Sequence, residues 1–470
     1  MSYHAIVAPI TEVLPHPNSD KGLLLVRIAG SQVITTTPYQ VDDLTIFFPE
    51  GGALDDLFLF HNSEYRYSAT LERTVKPNKD PNKSGLFEDT GRIRSIKLRG
   101  EISEGYISPL SSVAYTGVDI STLQAGTIFT ELNNVPICKR YVSPAQAKRE
   151  GTASPNAIKQ RKQKIVMFKE HFDTENLKYH YTKIPTDARV LITEKLHGTS
   201  GRTGNILVAT TISTEGYKRV LNLFAIVLDL IVKGQIAPSF RKLWEDSQKT
   251  ISETYRTITG SRRVAFVEEK KDSYYIESTF RQRIHEQLEG KLHKGETVYY
   301  EIVGYQNPNS PLFHHTVKKD AVGTDLLKKF KNHLLGTTME YSYGCNRELG
   351  ECDIYVYRIT QTNNDGYSVD LSYSQRLARC SLLGLKHVPR VFYGTIGELT
   401  RNGVLDLLNV CNELADRPST LSDAHISEGI CLEIEHPNML KTFKNKSFNF
   451  RYLEGLIKDD ETHIDLEEIS

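Results

Sequence analysis

The feature that most constrains the fold is a succession of short apolar segments bounded by turn residues. Six of them lie within residues 1–135: YHAIVAPI, GLLLVRIAG, SQVITTTPY, LTIFFPEGG, RIRSIKLRG and EGYISPL. Segments of this length, separated by Gly, Pro, Asn and Asp, predict β-strands, and many of them in succession predict a small β-barrel. The first part of the chain is therefore predicted to be all-β.

Beyond residue 165 the pattern changes, because strand-like segments alternate with helix-like ones. The predicted strands are ARVLITEK, RRVAFVEEK, ETVYYEIVGY, CDIYVYRI and EGICLEIE. Apolar residues three and four apart predict helices over 217–258 and 316–336. The fold class predicted for the whole chain is α+β, with the barrel first.

A chain of 470 residues is too long for one ordinary hydrophobic core, so we expect more than one domain. The segment SPAQAKREGTASPNAIKQRKQK, at 143–164, lacks apolar periodicity and has the composition of a linker. The predicted organisation is a domain at 1–140, a basic linker at 141–165, a second domain at 166–457 and an acidic tail at 458–470.

Composition narrows the class of protein. Lys plus Arg number 58, equal to Asp plus Glu, and 39% of residues are hydrophobic, as expected of a globular protein in water. The longest apolar stretch, LNLFAIVLDLIV, is too short to span a membrane and contains Asp229. We also find no signal peptide. The six cysteines form no Cys-x-x-Cys pair, so we expect a reduced, cytoplasmic compartment.

Two copies of Lys-x-x-Gly follow strand-like segments, and their surroundings differ. Lys195 begins the copy in KLHG, whereas Lys97 begins the copy in KLRG, which precedes any domain able to supply carboxylates. The strands after Lys195 bring, in chain order, Glu301, Tyr355, Tyr357, Glu428, Lys441, Lys444 and Lys446. Lys195 therefore heads an ordered series of carboxylate, aromatic and lysine side chains, and Lys97 is predicted to be a turn residue.

Such a series suits nucleotidyl transfer. A nucleophilic lysine must lose its proton, and an ordinary lysine has a pKa of about 10.4. Partial burial, a neighbouring cation and a bound metal can lower that pKa. Two carboxylates can hold Mg²⁺, further lysines can neutralise charge on a phosphate, and an aromatic ring can stack on a base.

The pattern resembles the covalent nucleotidyltransferase superfamily of ATP-dependent ligases and RNA capping enzymes, and EKLHGTSG is most similar to the first motif of RNA ligases. The resemblance implies that Lys195 forms a lysyl-AMP phosphoramide and that His197 assists the phosphoryl chemistry. Glu194 and Gly198, in the same motif, are implied in nucleotide binding. The second domain would then be an adenylyltransferase with ATP-grasp-like antiparallel sheets and helices.

The same resemblance assigns roles to the next motifs. GSRRV implies that Arg262 contacts the AMP sugar or the 5′-phosphate end, and Arg263 stays open as an alternative. Glu301 is implied to contact ribose and to help place a metal. Glu428, in EGICLE, is implied as the second metal ligand.

The last two motifs concern the base and the α-phosphate. Tyr357 is implied to stack on adenine, although the family continues Asp-Ile where this chain has Arg-Ile. Lys444 and Lys446 are implied to touch the α-phosphate, and Lys441 offers a competing register. The implied catalytic set is thus Lys195, His197, Glu301, Glu428, Lys444 and Lys446.

The segment GRIRSIKLRGEISEGYISPL resembles an OB-type domain, and the RNA ligases first described in Deinococcus carry one before the nucleotidyltransferase domain. CDIYVYRIT is also similar to that family. The resemblance implies a monomeric ligase that uses ATP and Mg²⁺, with Mn²⁺ possible, and passes through lysyl-AMP and an adenylylated 5′ end. Its implied partner is nucleic acid, as RNA ends or as a nicked duplex with RNA on the 3′-OH side.

Two other functions stay open. A capping-type guanylyltransferase would use GTP, but such enzymes place the OB domain after the catalytic domain, where this chain has too few residues. A non-catalytic RNA-binding protein would keep the fold without the chemistry. Two long intervals, 205–258 and 312–352, also stay open: the first is predicted as a helical insertion, and either one contacts nucleic acid or forms a surface helix.

Overall fold

The structure is a computed structural model that describes residues 3–19, 22–68, 70–99, 101–142, 167–214, 223, 249–262, 265–266, 279–316, 338–435 and 441–453. No helix within these ranges is long and apolar enough to cross a membrane. The linker segment 143–164 and the acidic tail 458–470 lie outside the described residues.

The regular secondary structure of the first part of the chain is mainly β-strand, and each of the six segments predicted there contains a strand. The strands are β1 (Ala5–Pro15), β2 (Leu24–Ile28), β3 (Ser31–Thr35), β4 (Leu44–Phe48), β5 (Gly52–Leu54), β6 (Tyr67–Ser68), β7 (Arg73–Thr74), β8 (Ser95–Leu98), β9 (Glu101–Glu104), β10 (Tyr106–Pro109), β11 (Ile128–Phe129), β12 (Glu131–Leu132), β13 (Val135–Pro136) and β14 (Cys138–Arg140). Helix α1 (Asp56–Asn62) and 3₁₀ turns at Leu110–Thr116 and Ile120–Thr122 complete this part.

Six of these strands form an antiparallel sheet in the order β10-β4-β1-β2-β3, with β11 also paired to β1. The β8–β9 hairpin contacts the edge strand β3 through side-chain hydrogen bonds. There the Ile34 backbone N–H donates to Ser103 Oγ at 3.0 Å, and Gln32 Nε2 donates to the Ile102 carbonyl at 2.9 Å. Among the described strands β3 and β10 do not pair, so the predicted barrel is a curled half-barrel with a groove at its open side.

The second part of the chain mixes strands and helices, as the alternating pattern predicted. Its strands are β15 (Glu175–Asn176), β16 (Arg189–Lys195), β17 (Thr199–Thr214), β18 (Lys249–Ser261), β19 (Ala265–Phe266), β20 (Glu296–Asn307), β21 (Ser310–Pro311), β22 (His314–Thr316), β23 (Thr338–Glu340), β24 (Cys352–Thr362), β25 (Ser368–Asp370), β26 (Lys386–His387), β27 (Arg390–Thr395), β28 (Gly429–Ile434) and β29 (Lys441–Lys446). Its helices are α2 (Thr279–Leu288), α3 (Tyr373–Leu383), α4 (Ile396–Thr400), α5 (Leu407–Ala415) and α6 (Phe448–Leu453), with 3₁₀ turns at Leu177–Tyr179 and Tyr181–Lys183.

Two sheets dominate this second part. The five-stranded sheet has the order β15-β29-β28-β16-β27, and the eight-stranded sheet has the order β19-β18-β17-β20-β24-β25, with β21 and β26 added to β20 and β24. The chain passes from the first sheet to the second between Lys195, which ends β16, and Thr199, which begins β17. The motif EKLHGTSG therefore lies where the two sheets meet.

Strand β1 explains why the five-stranded sheet and the half-barrel are packed together. Its first residues are buried on both faces, so the apolar run does not alternate with polar residues. Ala5 and Val7 enter a core formed by the first part of the chain alone, which includes Phe58 and Leu59 of α1. Ile6 and Ile10, on the other face, enter a core that also contains side chains of β16 and β28. This second core therefore contains side chains from both predicted domains.

Buried charges hold the same junction. The Arg451 guanidinium, on α6, pairs with Glu50, which follows β4, and with Glu104 Oε1 at 2.9 Å. Burial acts to raise the pKa of Glu50, but Arg451 and then Lys178 outweigh it and lower that pKa to about 2. Lys178 Nζ also donates to Ser31 Oγ at 2.9 Å. The half-barrel is therefore tied to the five-stranded sheet by paired charges as well as by apolar packing.

The helical insertion predicted over 205–258 is wrong at both of its ends, whereas Leu223, the described residue between them, is helical. Residues 205–214 continue strand β17, and 249–258 belong to strand β18, which pairs with β17 from Gly201 to Thr214. The sequence there is rich in Thr and Ile, which favour strands. The helix predicted over 316–336 falls almost wholly outside the described residues.

Candidate active site

Strand pairing brings together three charged residues that are far apart in the sequence: Lys195, Glu428 and Lys446. Lys195 ends β16 opposite Gly429, and Gly429 on β28 is opposite Lys446 on β29. Glu428 immediately precedes Gly429, so its carboxylate lies beside both lysines. Antiparallel pairing of three strands thus assembles the first, fourth and fifth motifs, although Lys195 and Glu428 are 233 residues apart.

Glu428 is fully buried and is surrounded by basic groups. Its Oε1 atom accepts from Lys195 Nζ at 2.7 Å and lies 3.5 Å from Lys446 Nζ. Its Oε2 atom lies 3.7 Å from His197 Nδ1. A buried carboxylate requires this kind of compensation, because desolvation of an unpaired charge costs several kcal/mol. Glu428 therefore holds the Lys195 amine at a defined position at the floor of the cleft.

Gly198 lies directly against the backbone of β20 in the eight-stranded sheet. A Cβ added at this residue would lie 2.3 Å from the carbonyl oxygen of Ile302, nearer than real contacts allow. The glycine of Lys-x-x-Gly is therefore required by the approach of β17 to β20. The copy at Lys97 differs, because it lies in the β8–β9 hairpin of the half-barrel.

The opposite wall of the cleft belongs to the eight-stranded sheet. Glu301 on β20 is half-buried, and its Oε2 atom accepts from Ser200 Oγ at 3.0 Å. Tyr357 lies at a β-bulge, since β24 shifts register against β20 between the pairs of Tyr299 and Tyr300. A bulge turns side chains that would otherwise alternate, and both Tyr357 and the next residue, Arg358, line the cleft. Burial, and then Glu301, raise the pKa of Tyr357 above its usual range.

Between the two walls lies a cleft with a volume of about 130 Å³. Of the predicted residues, six line it: Lys195, Gly198, Arg262, Glu301, Tyr357 and Lys444. Glu428 and Lys446 lie behind Lys195, and His197 is buried at their side. Arg262 also forms an ion pair with Asp173. The structure thus brings almost all of the predicted set to one place.

Two predicted positions direct their side chains away from the cleft, and a third lies outside the described residues. Glu194 points away from it, since its Oε2 atom accepts from the Thr420 backbone N–H at 2.8 Å and from Thr420 Oγ1 at 2.5 Å. Lys441 is exposed at the start of β29, with Nζ 5.5 Å from the centre of the Phe443 ring, so the alternation of β29 favours Lys444 and Lys446. Arg263 lies outside the described residues.

The sequence interpretation missed several residues of the cleft. His171 and Phe172 precede the second domain's strands, and no motif marked them. The His171 ring lies 5.0 Å from Tyr357, edge to face, and its pKa is lowered by burial and then by Arg358. Arg358 pairs with Asp370, Nε to Oδ1 at 2.5 Å, and its guanidinium lies 4.7 Å from the Phe172 ring. The departure from Asp-Ile to Arg-Ile was the signal for Arg358.

The carboxylates of Glu301 and Glu428 suit a divalent cation of the Mg²⁺ type. Glu428 is engaged by basic groups, whereas Glu301 faces the cleft. Within the described residues, no cluster of three or more His, Cys, Asp or Glu side chains could hold a metal alone. Mg²⁺ keeps several water and phosphate ligands and needs one or two carboxylates. The donor set therefore fits an ion of that type, with Glu301 as the accessible ligand.

Comparison with known proteins gives a family and a set of similar structures. A family model described as RNA ligase matches residues 188–448. No curated protein sequence matches the chain. Three solved structures of an RNA ligase from Naegleria gruberi are similar: a mutant with ATP and Mn (14% identity, covering 97% of this chain and 99% of that chain, TM-score 0.47), an apo mutant (14%, 97% and 98%, 0.49) and the ligase with PPi (13%, 95% and 97%, 0.47).

Proposed function

The chain belongs to the RNA ligase family, and on that premise we propose that it is an ATP-dependent RNA ligase joining a 3′-OH end to a 5′-phosphate end. The observation that carries the proposal is the Lys195 amine, held at the floor of the cleft by the buried Glu428 at 2.7 Å. A lysine fixed in this way, with further lysines around it, is suited to attack a phosphate.

In the first step, the Lys195 amine loses a proton and attacks the α-phosphorus of ATP. The N–P bond forms as the bond to the pyrophosphate oxygen breaks, which leaves lysyl-AMP. Glu428 Oε1 is within proton-transfer distance of the amine. Lys444, in the cleft, and Lys446, behind it, stabilise the negative charge that develops on the transferred phosphate.

Two further transfers complete ligation. The 5′-phosphate of the nucleic acid attacks lysyl-AMP, which releases Lys195 and leaves AMP joined to the 5′ end. The 3′-OH then attacks the adenylylated phosphate and displaces AMP, so that a phosphodiester bond replaces the phosphoanhydride. Arg262 lines the cleft and can bind the sugar or the 5′-phosphate end.

The adenine would lie against the eight-stranded sheet. Tyr357 and Arg358 line that wall, and His171 meets the Tyr357 ring edge to face. Stacking of a base on such a ring contributes about 1–3 kcal/mol. Burial, and then the nearby Arg358 guanidinium, lower the pKa of His171, so its imidazole stays uncharged at neutral pH.

A divalent cation, Mg²⁺ or Mn²⁺, would bind the ATP phosphates and offset their charge. Glu301 would hold it from the cleft side, with Ser200 fixing the carboxylate. Glu428 could contribute only when Lys195 has left its Oε1 atom, because the two are paired at 2.7 Å. Glu428 would therefore serve the amine before the transfer and the cation afterwards.

We further propose that the half-barrel is an OB-type domain that binds nucleic acid, as in the Deinococcus-type RNA ligases, and that the substrate is a nick with RNA on its 3′-OH side. Its open side has a groove of about 850 Å³. Basic and aromatic side chains line it, together with Glu64 and Glu88; they are Lys83, Arg66, Arg92, Arg94, Tyr39, Phe87 and Tyr106. This combination supports binding to phosphates and to unstacked bases.

We expect a monomer acting in a reducing, cytoplasmic compartment. All six cysteines are free thiols, and Cys138, Cys380 and Cys411 are buried. Burial raises the pKa of Cys411 to about 12, which keeps that thiol protonated. A chain with this set of cysteines does not depend on disulfides for stability.

The test is transfer of label from nucleotide to protein. The chain is incubated with Mg²⁺ and α-³²P-labelled ATP or GTP, and acid-labile label on the protein is measured. We expect label from ATP alone, its loss in Lys195→Ala, and its retention in Lys97→Ala, the matched control in the second Lys-x-x-Gly.

Each outcome identifies one function. Label from GTP would favour a guanylyltransferase, and no label from either nucleotide would favour a non-catalytic RNA-binding protein. Nicked duplexes with RNA or DNA at the 3′-OH side then test the substrate, and equal sealing of both would contradict the RNA preference.

A further inference from the structure

Part of the interval 312–352 packs against the His197 ring. Its two ends form the small sheet of β22 and β23, in which His315 pairs with Met339. Two aromatic side chains of this interval pack on the His197 ring: Phe313 with ring centres 4.4 Å apart and Tyr341 with ring centres 4.9 Å apart. This part of the interval therefore packs against the active site.

Within the described residues, hydrogen bonding fixes the backbone of His197 rather than its ring. Its Nδ1 atom is 3.7 Å from Glu428 Oε2, longer than a hydrogen bond. Its backbone N–H, by contrast, donates to the Tyr343 hydroxyl at 2.6 Å, which fixes the main chain but not the imidazole. The orientation of the ring toward Glu428 must come from the side chains that pack against it.

His315 supplies the parallel face of that packing. Its ring stacks on the His197 ring with centres 5.4 Å apart and planes at 12°. Its Nδ1 atom is 2.9 Å from the Tyr341 hydroxyl, and this hydrogen bond fixes the plane of the His315 ring. Phe450 packs edge to face against both imidazoles. A fixed ring stacked on a loosely held one determines the plane of the second.

We propose that His315 is a positioning residue, which with Tyr341 holds the His197 imidazole in line with Glu428 and hence with the Lys195 amine. The proposal deepens the ligase function above and rests on it. Positioning errors of about 1 Å can slow a reaction about 100-fold, so an effect of His315 on the chemical step is expected even though it touches no reacting atom. Its neighbour His314 points to solvent and has no such role.

The experiment measures the single-turnover rate of lysyl-AMP formation over a range of ATP concentrations. For His315→Ala we expect a maximal rate about 10- to 100-fold lower, with the half-saturating ATP concentration unchanged, because binding groups stay in place. His315→Phe keeps the stacked ring but loses the bond to Tyr341, and we expect an intermediate rate. His314→Ala is the matched control and should behave as the wild type.

A double-mutant cycle separates positioning from general damage. If His315 acts through His197, then His315→Ala should add little to His197→Ala, whereas a structural defect would lower both backgrounds equally. Equal effects in the two backgrounds, or a His315→Ala rate equal to that of His314→Ala, would overturn the proposal. Thermal unfolding of each variant identifies any that fail to fold.

A measurement without ATP keeps the inference independent of the ligase function. NMR signals of the His197 imidazole, assigned by their loss in His197→Ala, should shift and broaden in His315→Ala but not in His314→Ala. Unchanged His197 signals would refute positioning. A wild-type chain that forms no lysyl-AMP, yet shows these NMR changes, would contradict the ligase function and leave the positioning intact.

Discussion

The two sheets that form the cleft use charge in opposite ways. The five-stranded sheet encloses Glu428 with Lys195, Lys446 and His197, and its other face is packed on the half-barrel. The eight-stranded sheet leaves Glu301 and Tyr357 facing the cleft and packs instead on its own helices α2 and α3. An enclosed carboxylate sets the position of neighbouring cations, whereas an accessible one can receive a ligand. The same residue type therefore has different consequences on the two sheets.

The largest expected effect concerns the support of the five-stranded sheet. Arg451→Ala leaves Glu50 and Glu104 buried without their guanidinium, so we expect a loss of about 3–5 kcal/mol in the free energy of unfolding. Chemical denaturation measures it. Arg401→Ala, at an exposed arginine, is the control and should change stability by less than about 0.5 kcal/mol. Equal effects would mean that the junction is not held by these charges.

The same substitution on the two sheets tests the comparison directly. Glu428→Gln removes the charge that holds Lys195, so we expect lysyl-AMP formation to slow about 10²- to 10³-fold at any Mg²⁺ concentration. Glu301→Gln should instead raise the Mg²⁺ concentration needed for half-maximal rate, because it faces the cleft. Rates measured across a Mg²⁺ series distinguish them. Identical profiles for the two variants would break the contrast between the sheets.

Acid should weaken the junction through Glu50. Its pKa is about 2 in the folded chain against an ordinary value of 4.5, so the unfolded chain binds the proton more tightly. The stabilisation is complete above pH 4.5 and is lost as the pH falls toward 2, by about 3 kcal/mol in total. Unfolding of the wild type and Glu50→Gln from pH 6 to 2 measures this. If the two curves stay parallel throughout that range, Glu50 does not carry the effect.

The smallest expected effect lies on the eight-stranded sheet. Tyr357→Ala removes the ring that would stack on adenine, worth about 1–3 kcal/mol, so the half-saturating ATP concentration should rise about 5- to 150-fold. The maximal rate of lysyl-AMP formation should change less. Tyr367→Ala, at a tyrosine that is 74% exposed, serves as the control. A change in maximal rate alone would place Tyr357 in the chemistry rather than in binding.

Local patterns were enough to predict the strands that carry the site. The residues at the ends of β16, β28 and β29 were identified from apolar runs followed by charge, and the family is confirmed by the match over 188–448. On β29, the alternation of side chains places Lys444 in the cleft lining and Lys441 on the opposite face, which only the structure shows. The helix predicted over 205–258 is wrong at 205–214 and 249–258, because helical and strand periodicities are hard to separate in segments rich in Thr and Ile.

The sequence by itself determined which residue types stand at the strand ends, and hence the chemistry available to this protein. The tertiary structure decided how they are used: that Glu428 is enclosed while Glu301 is open, that a bulge brings both Tyr357 and Arg358 to the cleft, and that His315 stacks on His197. The physical reason is the distance along the chain over which each kind of interaction acts. Periodicity reports which face of a strand is buried, whereas pairing between residues more than 100 positions apart depends on how the sheets pack.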